Sequence, residues 1–161
     1  MKLAPLKSEI LRARFDTSFT DEEYRKRFGL VIQQQDSRLK SSGASMPEDV
    51  ILEWDDFVKE LEDGYHDCPP EYDNDLDLAR SWIDVLYSSA ELANFNEHQS
   101  FKRIIDRIDE KFLELTQEMP HIPSDWHWTH RRALKRAGRE YADFINIHWE
   151  QRHGVRVEVI D

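Results

Sequence analysis

Residues 45–64 read SMPEDVILEWDDFVKELEDG, and this stretch decides the fold class. Val50, Ile51, Trp54, Phe57, Val58 and Leu61 recur at three- and four-residue steps, which places them on one face of an α-helix. Pro47 suits the first turn, Ser45 and Glu48 sit where cap partners belong, and Gly64 supplies the stop, so a helix is predicted from about Met46 to Asp63. On its other face Asp49, Glu53, Asp56, Glu60 and Asp63 follow one another by four and three residues and form a single acidic stripe. Like charges so spaced cost a few tenths of a kcal/mol per pair in an isolated helix. The stripe is therefore expected to face outward, towards a cationic partner, or to be paired with bases of the same chain.

Working outward, the same periodicity predicts helices on both sides. Ser8 to Phe15 is one; a second is opened by Thr20 with Glu23 three residues on and carries Tyr24, Phe28, Val31 and Ile32 towards the polar stretch Ser41-Ser42-Gly43. After the loop at Cys68-Pro69-Pro70, Ala79, Trp82, Ile83, Leu86 and Tyr87 predict a helix starting near Leu76, with Asn74 or Asp75 as its cap. Phe101, Ile104, Ile105, Ile108, Phe112, Leu115 and Met119 predict another, ended by Pro120 and Pro123. A last helix is expected from about Asp125 to Arg152, ended by Gly154. The alternation of Val155, Val157 and Val159 with Arg156 and Glu158 predicts one short strand with no evident partner in the chain. The expected architecture is all-α, a single-domain bundle of five to six helices over residues 1–161, with a short C-terminal strand.

Composition narrows the function classes. The 161 residues carry a formal net charge of -11, yet residues 48–77 hold 13 acidic side chains against the single base Lys59. The remainder is nearly neutral, so the acidity is a local feature. Beyond the helix it continues through Asp67, Asp73 and Asp75, interleaved with Tyr65 and Tyr72. Tyrosines are enriched in interface cores. Asp49, Glu53, Asp56, Glu60, Asp63, Tyr65, Asp67, Tyr72, Asp73 and Asp75 are accordingly read as one partner-binding surface. The single cysteine, Cys68, excludes an internal disulfide and a multi-thiolate metal site. No run approaches ~18 apolar residues, and MKLAPLKSEILRAR lacks an apolar signal core, so neither a membrane span nor a secretory leader is expected and the chain reads as cytoplasmic.

Motifs for catalysis are incomplete. Asp73-Asn74-Asp75-Leu76-Asp77 opens like a calcium loop, but Leu78 stands where the sharp turn needs Gly. His121, His127 and His130 lack the spacing of a zinc or di-iron set. Glu60-x-x-Asp63 and Asp106-x-x-Asp109 offer acids one turn apart, as in a magnesium-dependent nucleotide hydrolase, without that family's separation. Arg132, Lys135, Arg136 and Arg139 would form a basic stripe on the last helix, near Trp126 and Trp128, suited to nucleic acid, although the net charge repels phosphate. In size, charge and aromatic content the chain resembles small acidic inhibitors. The sequence thus favours a non-enzymatic binding protein, without cofactor or metal, that occupies a basic site on a partner protein as an inhibitor, antitoxin, immunity protein or DNA mimic does. The alternatives are the acid-cluster hydrolase and a nucleic-acid-binding accessory subunit.

Overall fold

The computed structural model describes residues 6–34 and 43–160. Within them the chain is mostly helical, with a few short strands. Helices α1 (Lys7–Phe15), α2 (Glu22–Gln33) and α3 (Pro47–Asp63) are followed by α4 (Pro69–Leu76), a π-turn (Asp77–Ser81) and α5 (Ile83–Tyr87). The long α6 (Asn96–Leu115) runs directly into strand β1 (Thr116–Glu118). A 3-10 turn (Trp128–Arg131) leads to β2 (Arg132–Leu134) and β3 (Arg136–Ala137), and α7 (Arg139–His148), α8 (Glu150–His153) and β4 (Glu158–Val159) complete the order. Of the polar loop expected at Ser41-Ser42-Gly43, Ser41 and Ser42 lie outside the described residues.

Helix α3 is the centre of the packing. Val50, Ile51, Trp54, Phe57, Val58 and Leu61 are all buried, as their spacing requires, and α6 covers them with Phe101, Ile104, Ile105, Ile108 and Phe112. The cap differs in detail from the expectation: Asp49 Oδ2 accepts from the Ser45 and Met46 backbone N–H groups at 3.0 Å each, whereas Glu48 is turned inward to Arg25 at 2.6 Å. In α2 the cap is Asp21, whose carboxylate takes the Glu23 and Tyr24 N–H groups, while Thr20 donates its own N–H to Glu97. Buried apolar residues from Leu11 to Val157 form one cluster.

Three elements correct the sequence reading. The acidic loop after Cys68 is helical from Pro69, with Cys68 rather than Asn74 or Asp75 at its N-cap position, and it continues into the π-turn. Pro69 and Pro70 fit a first turn because their missing N–H groups have no partner there in any helix. Asp73, Asn74, Asp75 and Asp77 therefore stand on helical backbone, which removes the calcium-loop geometry.

The second correction concerns the end of α6 and the start of the expected last helix. Helix α6 stops at Leu115, and Thr116 to Glu118 pair antiparallel with Arg132 to Leu134, so Met119 lies beyond the helix. The segment 125–137 is a 3-10 turn and two strands; only Arg139 onward is α-helical. Gly138 marks the break. Its N–H donates to Tyr65 O at 2.6 Å, and a Cβ there would lie 2.6 Å from His66 Nδ1 and 3.0 Å from Tyr65 O. This close approach of backbone holds the chain extended where a helix would demand its own hydrogen bond.

Third, the C-terminal strand has a partner in the chain. Strand β4 runs parallel to β3, with Glu158 N–H donating to Lys135 O at 2.8 Å and Ile160 N–H to Ala137 O at 2.9 Å. The Asn146 amide clamps Val157 on both backbone groups, at 2.8 and 2.9 Å, and Val155 and Val157 are buried. The strand expected to lack a partner in the chain is paired within it.

Candidate functional site: an acidic groove beside a buried charge network

The acidic stripe of α3 forms one wall of an open groove of about 600 Å3. Asp49, Glu53, Asp56 and Glu60 line it from α3 and Asp75 from α4, with Ile10, Leu52, Phe57 and Leu78 as its apolar surface. Helix α1 lies along the other side and contributes two bases. Lys7 bonds Asp49 at 2.5 Å, and Arg14 reaches Asp55 at 3.0 Å and Asp56 at 2.6 Å. Lys7 and Arg14 are seven residues apart, as are Asp49 and Asp56, so two turns of α1 match two turns of α3 in the same direction. Leu11, fully buried between these pairs, anchors the match.

The stripe is therefore only partly turned outward. Asp49 and Asp56 are neutralised by Lys7 and Arg14 of α1. Glu53 and Glu60 differ: among the described residues neither forms an ion pair, and both line the groove. Burial pushes the Glu53 carboxyl above its ordinary range, with Lys7 pulling it back and Asp49 adding to the rise. Burial, then Asp75 and Asp67, push Glu60 up. Asp49 is the opposite case, since burial raises it but the hydrogen bonds from Lys7, Ser45 and Met46 hold it below the usual carboxylate value.

The other residues read as partner-binding divide sharply. Asp63, Asp67 and Asp73 are exposed. Tyr65 and Tyr72 are not part of any exposed surface: they are 0% and 2% exposed and pack edge-to-face in an aromatic cluster with Phe57 and Tyr141. The alternation of aromatic and acidic residues in this segment reflects a buried loop residue, Tyr65, followed by a helix with one buried face that carries Tyr72. Tyr65 serves the groove indirectly, because its hydroxyl donates to Asp75 Oδ2 at 2.9 Å and orients that carboxylate.

A second polar constellation lies inside the fold and was not anticipated. Arg80 of the π-turn is 3% exposed and donates from Nε and Nη2 to the two oxygens of Asp109, each at 2.8 Å, and from Nη1 to Asp84 at 2.6 Å. The Trp54 indole N–H also donates to Asp109, at 2.9 Å, and the Arg80 guanidinium lies 5.5 Å from the Trp128 ring centre. His127 Nε2 is 2.8 Å from Asp84, and its Nδ1 accepts the Thr129 N–H at the start of the 3-10 turn. Burial raises the Asp84 carboxyl, but His127 and Arg80 more than offset this and hold it low. A neighbouring pair repeats the pattern: His130 sits 3.7 Å from Asp73 and 2.8 Å from Asp77, and these carboxylates raise its pKa against burial. The signal for Arg80 was a charged residue within the Ala79/Ile83 apolar face, with Asp84 four residues on.

This network occupies the groups that other readings needed. Asp109 is committed to Arg80 and Trp54, and Asp106 accepts the Tyr87 hydroxyl at 2.7 Å, so the Asp106/Asp109 pair does not converge on a shared metal. Among the described residues no three His, Cys, Asp or Glu side chains come together as a metal-binding group. The basic stripe is not a helix face either. Arg132 is half-buried and donates to Thr116, Lys135 donates to Glu114 O, and Arg136 pairs with Glu158 on β4. Among the described residues no helix is long and apolar enough to cross a membrane. No protein-family model, curated protein or solved structure matches the chain.

Proposed function

We propose that this protein is a non-enzymatic binding protein whose acidic groove docks onto the cationic side chains of a basic partner protein, as an inhibitor, antitoxin or immunity protein would. The observation that carries the reading is the pair Glu53 and Glu60, which line one groove without an ion pair among the described residues, Glu53 half-buried and Glu60 at the exposed rim. A carboxylate so placed is disfavoured in the free protein and gains most from an incoming ammonium or guanidinium. The groove holds five carboxylates against Lys7 and Arg14, so an excess of negative charge remains to steer a basic surface, and Leu52, Phe57 and Leu78 give apolar contact to the stems of long cationic side chains.

The test compares wild-type protein with Glu53→Lys/Glu60→Lys as immobilised bait for cell lysate, with bound proteins identified by mass spectrometry. The groove reading expects a basic protein retained by the wild type, released by high salt, and lost in the variant at unchanged helicity. Equal retention by the folded variant would reject it.

A further inference from the structure

A cavity of about 420 Å3 opens at the end of the β1–β2 ladder, bounded by the close of α6, the loop after Glu118 and the 3-10 turn, and it shares no lining residue with the acidic groove. Its volume lies in the range of sites that enclose small organic ligands. Leu113, Ile122 and Trp128 give it an apolar side, and its ionisable lining is Arg131, Arg132 and His121 against one carboxylate, Glu118. On a chain of net charge -11 this is a local reversal of sign.

Arg131 sets this cavity apart. The residue is half-buried, and among the described residues its side chain forms no hydrogen bond and no ion pair. Its Nε is closed off from solvent without a partner, whereas Nη1 and Nη2 are not closed off, so the open end of an uncompensated guanidinium is left at the wall of the cavity it lines. Such a charge, partly out of water, is disfavoured until an anion reaches it. Arg132 is held differently: Nε and Nη2 are directed to Thr116, and Nη1 lies 3.7 Å from Glu118, whose side chain is 86% exposed. It adds positive field rather than the principal donors. Strand pairing fixes the arrangement, since Arg131 O accepts the Met119 N–H at 2.9 Å and Arg132 stands opposite Glu118. His121 lines the cavity from left-handed backbone, φ 75°, a conformation that costs a residue with a Cβ and that gathers at ligand sites.

From this arrangement we infer that the cavity binds a small phosphate monoester, its dianionic phosphoryl group accepting from the Arg131 Nη atoms beside Arg132 and His121, and its organic part against Trp128 and Ile122. A planar carboxylate is satisfied by one guanidinium fork and carries a single charge, whereas a tetrahedral dianion offers acceptors in several directions and matches a lining with cations in excess. Inorganic phosphate would leave the apolar side of the cavity unfilled.

Phenyl phosphate, inorganic phosphate, benzoate and a short phosphotyrosine peptide serve as probes, each titrated into the full chain at constant ionic strength with calorimetry and amide proton–nitrogen spectra as readouts. Phenyl phosphate should saturate one site, with shifts confined to residues around the cavity, and bind more tightly than the other three. Arg131→Met should weaken it at least about tenfold, as loss of charge-assisted hydrogen bonds does. Because this variant removes a guanidinium without a partner among the described residues, it should melt no lower than wild type. Glu118→Gln, at an exposed position, should tighten phenyl phosphate by removing the carboxylate of the lining. The inference is overturned if phenyl phosphate fails to saturate at millimolar concentration, if folded Arg131→Met binds it equally, or if benzoate or inorganic phosphate binds as tightly. Tighter binding of the peptide than of phenyl phosphate overturns it in favour of a phosphorylated segment of another protein.

Discussion

Replacing Arg80 by Met tests whether the buried charge network holds the helical and strand-bearing parts of the molecule together. Arg80 joins the π-turn to α6 through Asp109 and to the 3-10 turn through Asp84 and His127. Its removal leaves the Asp109 carboxylate, 17% exposed, with only the Trp54 N–H. Breaking a buried pair in this way costs about 3–5 kcal/mol, because the remaining charge stays out of water uncompensated. The contact to Asp84, whose side chain is 47% exposed, adds at most ~1 kcal/mol. A loss near 4 kcal/mol is therefore expected, roughly a 10 °C fall in Tm for a chain of this length. Asp109→Leu alone should cost about as much, yet Arg80→Met/Asp109→Leu should return to within ~1–2 kcal/mol of wild type, since an apolar pair of similar volume carries no desolvation penalty. Urea unfolding followed by tryptophan fluorescence and far-UV dichroism measures all four corners of this cycle. Additive single losses, with no coupling between positions 80 and 109, would refute the assignment.

Glu53→Gln should raise stability at neutral pH while weakening capture of a basic partner, because the carboxyl's raised pKa means that the folded state disfavours its charge; a variant that loses both would reject the groove. His130 gives the opposite pH sign. Its folded pKa lies above the ordinary value near 6.5, so its contribution is fully present below about pH 6.5 and fades as pH rises through the higher folded value; His130→Gln should flatten that slope in urea melts at pH 6 and 9. Asn146→Ala should cost roughly 2 kcal/mol by removing two hydrogen bonds to Val157, and hydrogen exchange should accelerate from Val155 to Ile160. Gly138→Ala should cost at least ~2 kcal/mol in chemical denaturation, since its Cβ meets Tyr65 O and the His66 backbone, which cannot withdraw as a flexible side-chain tip would.

Where helical signals were local and repeated, they could be read directly. The apolar spacing along α3 and α6 names the buried residues almost one for one, because a helix that buries one face must repeat every three to four residues whatever it packs against. The acidic stripe was equally legible as a stripe, and four of its five members do line the groove. Its degree of neutralisation was not, since Lys7 and Arg14 lie some forty residues away in sequence and nothing in their own segment says which helix they will cover.

The misread segments share a physical cause. From Trp126 to Tyr141 the apolar pattern is compatible with a helix, but a short strand also meets it, and periodicity over a few residues cannot separate them. What decides between the two is hydrogen bonding to distant backbone: β2 finds β1 at the end of α6, β3 finds β4, and Gly138 finds Tyr65. Tyr65 and Tyr72 illustrate the same division, for an acidic, aromatic segment reads as a recognition surface until the loop after α3 and helix α4 bring the two rings inward against Tyr141. The sequence by itself determined the helical character, the local concentration of negative charge and the faces that leave water, all properties of neighbours within a turn or two. Only the tertiary structure decided which charges are paired and which strands exist, because each depends on a partner brought near by the packing of the whole chain.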